Sequence, residues 1–227
     1  MRIYKTIILF SVVHFLFGEP STECGTLTGL SKDEYSQMLQ WRAGMNIVTV
    51  QHLFREDYWA PVTFHIVRDD NGSAGLPEER LEMGIINLNT HYENTGVHFY
   101  QAGETDFIDS SDYLMEIDSY DEINALRNTN SVPNTINIYA VEQLSTGETD
   151  LCGISTYTWY DNQGIVMANS CFATSSNHST LSHEVGHYFD LFHTHSGSSD
   201  QNDDGVIDGG NAEFVDGTDC ENRGDGF

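Results

Sequence analysis

The 227-residue sequence predicts an α/β sheet domain. Apolar and polar residues alternate in "APVTFHIVRD", residues 60–69, a pattern that is typical of a strand. Leu81, Ile85 and Leu88 then recur at helical spacing. The predicted order from residue 60 onward is β-α-β-α-β-β-β-α, which indicates a sheet domain with one late helix. A chain of this length can bury one full core.

Turn and helix signals define the elements of the first half. Pro77 lies near the start of the first helix, and Gly96 follows its end. "VHFYQAG", residues 97–103, is predicted as a second strand. We expect the acidic residues 104–122 to be mostly loop. A short helix is predicted around "SYDEINALRN", residues 119–128.

The second half begins with the clearest strand, "TINIYAVEQL", residues 135–144. Two β-prone runs follow and flank the turn-like "YDNQG", residues 160–164, which predicts a hairpin. Cys152 and Cys171 bracket this hairpin symmetrically. A symmetric pairing would set their sulfur atoms opposite each other, so we expect a disulfide between them.

The N-terminus has the pattern of an export signal. Arg2 and Lys5 precede the apolar run "IILFSVVHFLFG", which ends at Gly18 and is too short to span a bilayer as a mature helix. A buried hydrophobic strand is the alternative, but the basic start favours a signal peptide. We therefore expect a secreted, extracellular protein.

The formal net charge at pH 7 is −26, from 9 basic and 35 acidic residues. A negative field of this size repels nucleic acid and anionic lipid, so we expect neither nucleic acid nor, after signal removal, a membrane as partner. The charge suits calcium binding or cationic substrates. Export also permits disulfides, and Cys24 and Cys220 either pair with each other or need partners outside this chain.

The last predicted helix, from about Ser179 to Phe189, carries the chemistry. His183 and His187 are four residues apart and share one helix face, where two imidazoles can bind one zinc ion at about 2.0–2.1 Å each. Glu184 lies beside that site and can take a proton from a zinc-activated water and pass it to a leaving amine. The alternative reading is that these are ordinary histidines, and the combined spacing disfavours it.

His193, ten residues after His183, is the predicted third zinc ligand. If the helix continued, His193 would lie about 15 Å along the axis from His183 and face away from it. The chain must therefore leave the helix just after His187 and fold back. His195 is the alternative third ligand, and His178 is expected to be a solvated residue before the helix.

"HEVGHYFDLFH", residues 183–193, resembles the metzincin metallopeptidase pattern His-Glu-x-x-His-x-x-Gly-x-x-His, except that Asp190 stands at the glycine. Glycine accepts positive φ freely, and Asp tolerates it better than most residues. "TLSHEVGHYFDLFHT" is similar to the active-site helix of pappalysin-type metzincins, the family of the pregnancy-associated plasma protein-A catalytic domain. "VTFHIV", "IINLNTHYENTGVHF" and "TINIYAV" resemble that family's first strand, first long helix with second strand, and upper edge strand.

The resemblance implies a metzincin-like zincin fold, with a mixed twisted sheet, a long backing helix and an active-site helix. It implies a secreted zinc endopeptidase that binds an extended peptide along an edge strand near Thr135–Val141. It also implies a methionine-containing turn after the third histidine. Because no methionine follows Met167, we expect a lower subdomain that is largely missing. The expected division is a signal peptide at 1–18, a pro-segment or N-terminal extension at 19–58, and a metallopeptidase catalytic domain at 59–227, incomplete at its C-terminus.

"DQNDDGVID", residues 200–208, matches the first nine positions of a calcium-binding loop. The predicted ligands are the side chains of Asp200, Asn202, Asp204 and Asp208 and the carbonyl of Val206. Position twelve is Asn211 rather than glutamate, and a solvated acidic loop is the alternative. The second hypothesis for function is therefore a calcium-stabilised binding or adhesion module on a catalytically impaired peptidase fold.

Overall fold

The computed structural model describes residues 37, 40, 41, 44, 57–115, 117–147, 149–191 and 193. The strands are β1 Tyr58–Arg68, β2 Val97–Gln101, β3 Asp106–Asp109, β4 Ile136–Val141, β5 Gly153–Ser155 and β6 Ile165–Ala168. The helices are α1 Glu79–His91, α2 Ser111–Met115, α3 Tyr120–Arg127 and α4 Thr180–Tyr188, and a 3-10 turn covers Asn169–Cys171. Within these ranges, no helix has the length and apolar character needed to cross a membrane.

One mixed sheet organises the chain. Its strand order is β2-β1-β4-β6-β5, and β3 also pairs with β1. The pairings of β1 with β2, β3 and β4, and of β4 with β6, are parallel, whereas β5 is antiparallel to β6. The predicted α/β fold class with a mixed sheet is thus confirmed.

Strand β3 and helix α2 lie in the segment that was predicted to be mostly loop, so that prediction was wrong. β3 pairs with the second half of β1, next to the part of β1 that pairs with β2. Its aspartates contact side chains of β1: Asp106 bonds His65, and Asp109 accepts from Nε of Arg68 at 2.8 Å. A four-residue strand with an aspartate at each end is too short and too polar to show a clear alternation.

Strand β4 lies inside the sheet, which corrects the expected edge position of Thr135–Val141. It pairs with β1 on one side and β6 on the other. All six of its residues are buried, as expected for a strand with neighbours on both sides and layers on both faces. The antiparallel edge of the sheet is β5 instead.

Helices cover both faces of the sheet. On one face, α1 and α4 share a core, whose members include Val62, Phe64, Ile66, Leu81, Leu88, Phe172, Leu181 and Val185. On the other face, residues of α2 and α3 pack on β1, β4 and β6. Tyr92 Oη donates to the carbonyl of Ser182 at 3.1 Å, which links the end of α1 to α4. The late helix therefore rests on both the sheet and the long helix.

The predicted hairpin and its disulfide are both present. Cys152 and Cys171 are bonded, with their Cα atoms 5.3 Å apart. The register differs from the symmetric one, because the N–H of Ala168 donates to the carbonyl of Cys152 at 3.0 Å. Cys171 reaches its partner through the 3-10 turn that follows β6. Cys24 and Cys220 lie outside the described residues.

A fully buried imidazole ties three segments together. Nδ1 of His65 lies 2.9 Å from Oδ2 of Asp106, and its Nε2 lies 3.0 Å from Oδ1 of Asn137. That Oδ1 also accepts the N–H of Val132 at 2.8 Å, which fixes the orientation of the Asn137 amide. Both ring nitrogens are therefore hydrogen-bonded, one to a side chain of β3 and the other to a side chain of β4.

Candidate metal centre

Helix α4 starts at a side-chain cap. Oδ1 of Asn177 accepts from the N–H of Thr180 at 3.2 Å and from its hydroxyl at 2.7 Å. Leu181 and Val185 face the core, while His183 is exposed. The observed bounds, Thr180–Tyr188, agree with the helix predicted from the sequence.

The helix ends in a reversal of the kind that the third histidine requires. The N–H of Asp190 donates to the carbonyl of His187 at 2.8 Å, and that of Leu191 donates to Gly186 at 3.0 Å. These two bonds form a Schellman motif, in which the residue after the C-cap adopts the left-handed conformation. The C-cap is Phe189, so that residue is Asp190. Asp190 has a φ of 65°, so it takes the backbone conformation that glycine favours at this position.

The reversal brings three imidazoles together. Nε2 of His183 is 3.0 Å from Nε2 of His193 and 3.1 Å from that of His187, and the third separation is 3.0 Å. Two nitrogens that bind one zinc at about 2.0–2.1 Å are at most about 4.2 Å apart. The triad therefore fits a single zinc ion, and within the described ranges it is the one group of three or more such ligands that could hold a metal.

A hydrogen bond to the backbone determines which ring nitrogen of His187 is available as a metal ligand. Its Nδ1 lies 2.7 Å from the carbonyl oxygen of Leu191, which can only accept, so Nδ1 carries the proton. Burial lowers the pKa of His187 to about 4, so the ring is neutral at neutral pH. The unprotonated Nε2 then faces the other two histidines, as a metal ligand must.

Glu184 belongs to α4, and its fully buried side chain packs against the edge strand β5. A Cβ atom added to Gly153 of β5 would lie 2.8 Å from Cγ of Glu184, so the two backbones can approach this closely only with glycine there. Burial lowers the pKa of Arg127 to about 10, and attraction to Glu184 opposes that shift. The Glu184 carboxyl group thus lies in the field of a buried cation.

The edge segment, residues 153–160, runs beside α4. Its start lies against Glu184, as described above, and the ring of Tyr157 meets that of His187 edge-on at 6.0 Å. Tyr157 also stacks on Trp159, with ring centroids 4.4 Å apart. Between them, Thr158 hydrogen-bonds to Asp190. These contacts make the edge segment one wall of the metal centre.

Sequence reasoning found the histidines but missed the residues that surround them. Gly153 and Tyr157 belong to a predicted strand and carried no signal of their own. Arg127 resembles a solvated cation at the end of a short helix, yet it is only 4% exposed. The exposed His178 lies 5.6 Å from the ring of His91 and is not part of the triad. His195 and the predicted calcium ligands Asp200, Asn202, Asp204, Val206 and Asp208 lie outside the described residues.

Comparison with known proteins agrees with this geometry. Residues 122–224 match the peptidase family model described as pregnancy-associated plasma protein-A. This segment is similar to the pappalysin-type metzincin metallopeptidases. The matched segment includes α4 and all three histidines, so the likeness to a metallopeptidase family agrees with a metal site at the triad. No curated protein sequence matches the chain significantly.

Two solved structures resemble the chain. One is mirolysin in complex with compound 9, with 19% identity, 62% of this chain and 65% of that chain covered, and a TM-score of 0.44. The other is Tannerella forsythia mature mirolysin in complex with a cleaved peptide, with 19% identity, 72% of each chain covered and a TM-score of 0.48. The chain thus spans slightly less than two thirds of the first of these structures.

Proposed function

We propose that the protein is a zinc-dependent endopeptidase. In this proposal His183, His187 and His193 hold the zinc ion, and Glu184 moves the proton. The observation that carries it is the convergence of three Nε2 atoms to within 3.1 Å of one another. The match of the same segment to a metallopeptidase family supports it further.

The chemistry assigned to the chain is the transfer of one proton. Zinc, when bound, supplies Lewis-acid polarisation and makes hydroxide available near neutral pH. The carboxylate of Glu184 takes a proton from the attacking water, whose oxygen adds to the peptide carbonyl carbon. Glu184 then gives that proton to the amine as the C–N bond breaks. Its position between α4 and Gly153 limits the movement of this carboxylate.

We place the substrate along β5. An extended peptide binds by adding a strand to an exposed sheet edge, and its backbone hydrogen bonds are then independent of sequence. Among the described residues, β5 pairs only with β6, and it adjoins α4. This replaces β4, whose two edges are both paired.

We also propose that the enzyme is secreted. The basic residues and apolar run at the N-terminus support a signal peptide over residues 1–18. In this proposal residues 19–58 are a pro-segment or N-terminal extension, and the catalytic domain starts at residue 59. Mass spectrometry of the exported protein measures this directly, because cleavage after Gly18 would give a new N-terminus at Glu19.

The test compares the wild-type protein with Glu184→Gln, in which the side chain keeps its size. We expect wild-type protein to bind one zinc ion per chain and to cleave peptides. Glu184→Gln should keep the zinc and lose about 100-fold or more in kcat, which is the usual contribution of general acid–base catalysis. Glu82→Ala, an exposed change on α1, is the matched control.

The outcomes separate the two hypotheses for function. Unchanged cleavage in Glu184→Gln would reject the role of Glu184. A wild-type protein that binds zinc stoichiometrically but cleaves no peptide would favour the binding or adhesion module. A wild-type protein that binds no zinc would reject both the metal centre and the peptidase.

A further inference from the structure

Asp190 stands where the metzincin pattern has glycine, and its side chain is engaged. Its Oδ1 accepts the backbone N–H of Thr158 at 2.8 Å, and its Oδ2 lies 2.5 Å from the Thr158 hydroxyl, which donates to it. Both carboxylate oxygens therefore bind one residue of the edge segment. Glycine at this position would provide neither bond.

We propose that Asp190 is a positioning residue, which fastens the edge segment to the end of the active-site helix. The proposal rests on the proposed peptidase function, because the edge segment would form a wall of the substrate cleft. It assigns to this chain two hydrogen bonds between the bend and the edge segment, which a glycine at this position of the pattern cannot make. Asp190 then gives the bend side-chain contacts that a glycine at this position could not make.

The contacts of Thr158 show how completely it is held. Its N–H and hydroxyl bind Asp190, and its carbonyl accepts from Nε2 of Gln163 at 2.7 Å. Oε1 of Gln163 in turn accepts from the hydroxyl of Tyr188, the last residue of α4, at 3.2 Å. Both ties from Thr158 therefore lead to the C-terminal end of the same helix.

The residues on either side of Thr158 explain what the fastening positions. Tyr157, which is 3% exposed, lies edge-on against His187 and stacks on Trp159. A shift of Thr158 would move both rings, because they are its direct neighbours in the chain. Asp190 thereby fixes the wall next to one of the three histidines without touching the metal position itself.

The backbone conformation of residue 190 favours glycine, so the side-chain hydrogen bonds are what aspartate contributes there. A φ of 65° is strained for a residue other than glycine, although aspartate and asparagine tolerate it best. Glycine would therefore fold the bend more easily than aspartate does. What aspartate adds is a pair of charge-assisted hydrogen bonds, which are stronger than neutral ones.

The test uses Asp190→Gly and Asp190→Asn, with Thr158→Val as a change on the other partner. It measures amide hydrogen exchange by NMR in the metal-free and zinc-loaded protein. In Asp190→Gly we expect the Thr158 amide to exchange at least about tenfold faster, the loss typical of a hydrogen bond to a charged group. The Leu191 amide should stay protected, because glycine preserves the bend and its bond to Gly186.

Kinetics provide the second readout. We expect Asp190→Gly to keep its zinc and to lower kcat/KM for a peptide about tenfold, mainly through a higher KM, because the edge segment binds substrate. Asp190→Asn should recover most of the loss, since an amide can accept the Thr158 N–H and donate to its hydroxyl oxygen. Thr158→Val, which lacks only the hydroxyl, should lie between. Asp161→Ala, an exposed change at a residue shortly after the edge segment, is the control.

Each outcome has a defined meaning. Unchanged Thr158 exchange in Asp190→Gly, or kcat/KM equal to wild type, would overturn the proposal. If Asp190→Gly does not fold, Thr158→Val decides it, because this variant removes one of the two bonds without changing residue 190, and wild-type kcat/KM in it would overturn the proposal. If wild-type protein cleaves no peptide, the proposed function fails, while the exchange measurement still tests the fastening.

Discussion

Gly153 and Glu184 lie so close together that no side chain fits between them. A Cβ atom at residue 153 would be 2.8 Å from Cγ of Glu184 and 2.8 Å from Sδ of Met167. Gly153 lies in β5 and Glu184 in α4, so this contact sets the distance between the sheet edge and the active-site helix. The absence of a side chain at residue 153 is therefore what allows the carboxylate its place.

We expect Gly153→Ala to reduce kcat about 10- to 100-fold, because a displacement of about 1 Å in a catalytic group has an effect of that size. Overpacking should also lower the free energy of unfolding by about 1–3 kcal/mol. Peptide cleavage, zinc content and urea unfolding measure the three quantities. Zinc content should stay at one ion per chain, because the triad lies on the helix and the reversal after it.

The control for this change is Glu82→Ala, an exposed change on α1. It should leave kcat and stability close to wild type. An active Gly153→Ala with wild-type kcat would show that Glu184 can shift without consequence. That result would contradict the role assigned to their contact.

Removal of any one of the three imidazoles should abolish tight zinc binding. His183→Ala, His187→Ala and His193→Ala each leave two nitrogen ligands. Losing a residue that hydrogen-bonds to a metal ligand weakens metal affinity about 10- to 100-fold, so loss of a direct ligand should exceed that range. Competition titration with a chelator measures the affinity, and His178→Ala, an exposed change just before α4, is the control. Tight binding that persists in His193→Ala would point to a different third ligand.

The sequence predicted the convergence of the three histidines more completely than it predicted the sheet. The three histidines and Glu184 follow from spacing along one helix and one bend, both of which are local. Asp190 shows where local patterns stop being informative. Its positive φ was expected, but its bonds to Thr158, 32 residues earlier, were not. Such contacts depend on how the edge segment meets α4, and no periodic pattern encodes that.

Strand order was the least predictable feature. The pattern in "TINIYAV" predicts a strand but does not say which strands pair with it, and its likeness to an edge strand was misleading. What places β4 inside the sheet is its pairing with β1 on one side and β6 on the other, and a local sequence pattern does not show this pairing. β3 was missed because it is short and has an aspartate at each end, which makes it look like a loop. These aspartates are partners for His65 and Arg68.

The Cys152–Cys171 bond should stabilise the edge of the sheet where substrate is proposed to bind. It closes a loop with a sequence separation of 19 and connects the start of β5 to the turn after β6. For a loop of this length we expect its loss to lower the free energy of unfolding by about 3 kcal/mol. Denaturant unfolding of the Cys152→Ala/Cys171→Ala pair measures this. Equal stability of the oxidised protein and the double variant would contradict the expectation.

Replacing the imidazole of His65 should be costly because it would remove two side-chain hydrogen bonds that β1 makes with β3 and β4. For His65→Leu we expect the free energy of unfolding to fall by about 1–3 kcal/mol, since each hydrogen bond contributes about 0.5–1.5 kcal/mol. The control is His98→Gln, since His98 pairs at 3.3 Å with an exposed Asp57. Such surface pairs contribute at most about 1 kcal/mol. Urea unfolding of both variants makes the comparison, and similar losses in the two would show that the His65 network adds no more than a surface pair.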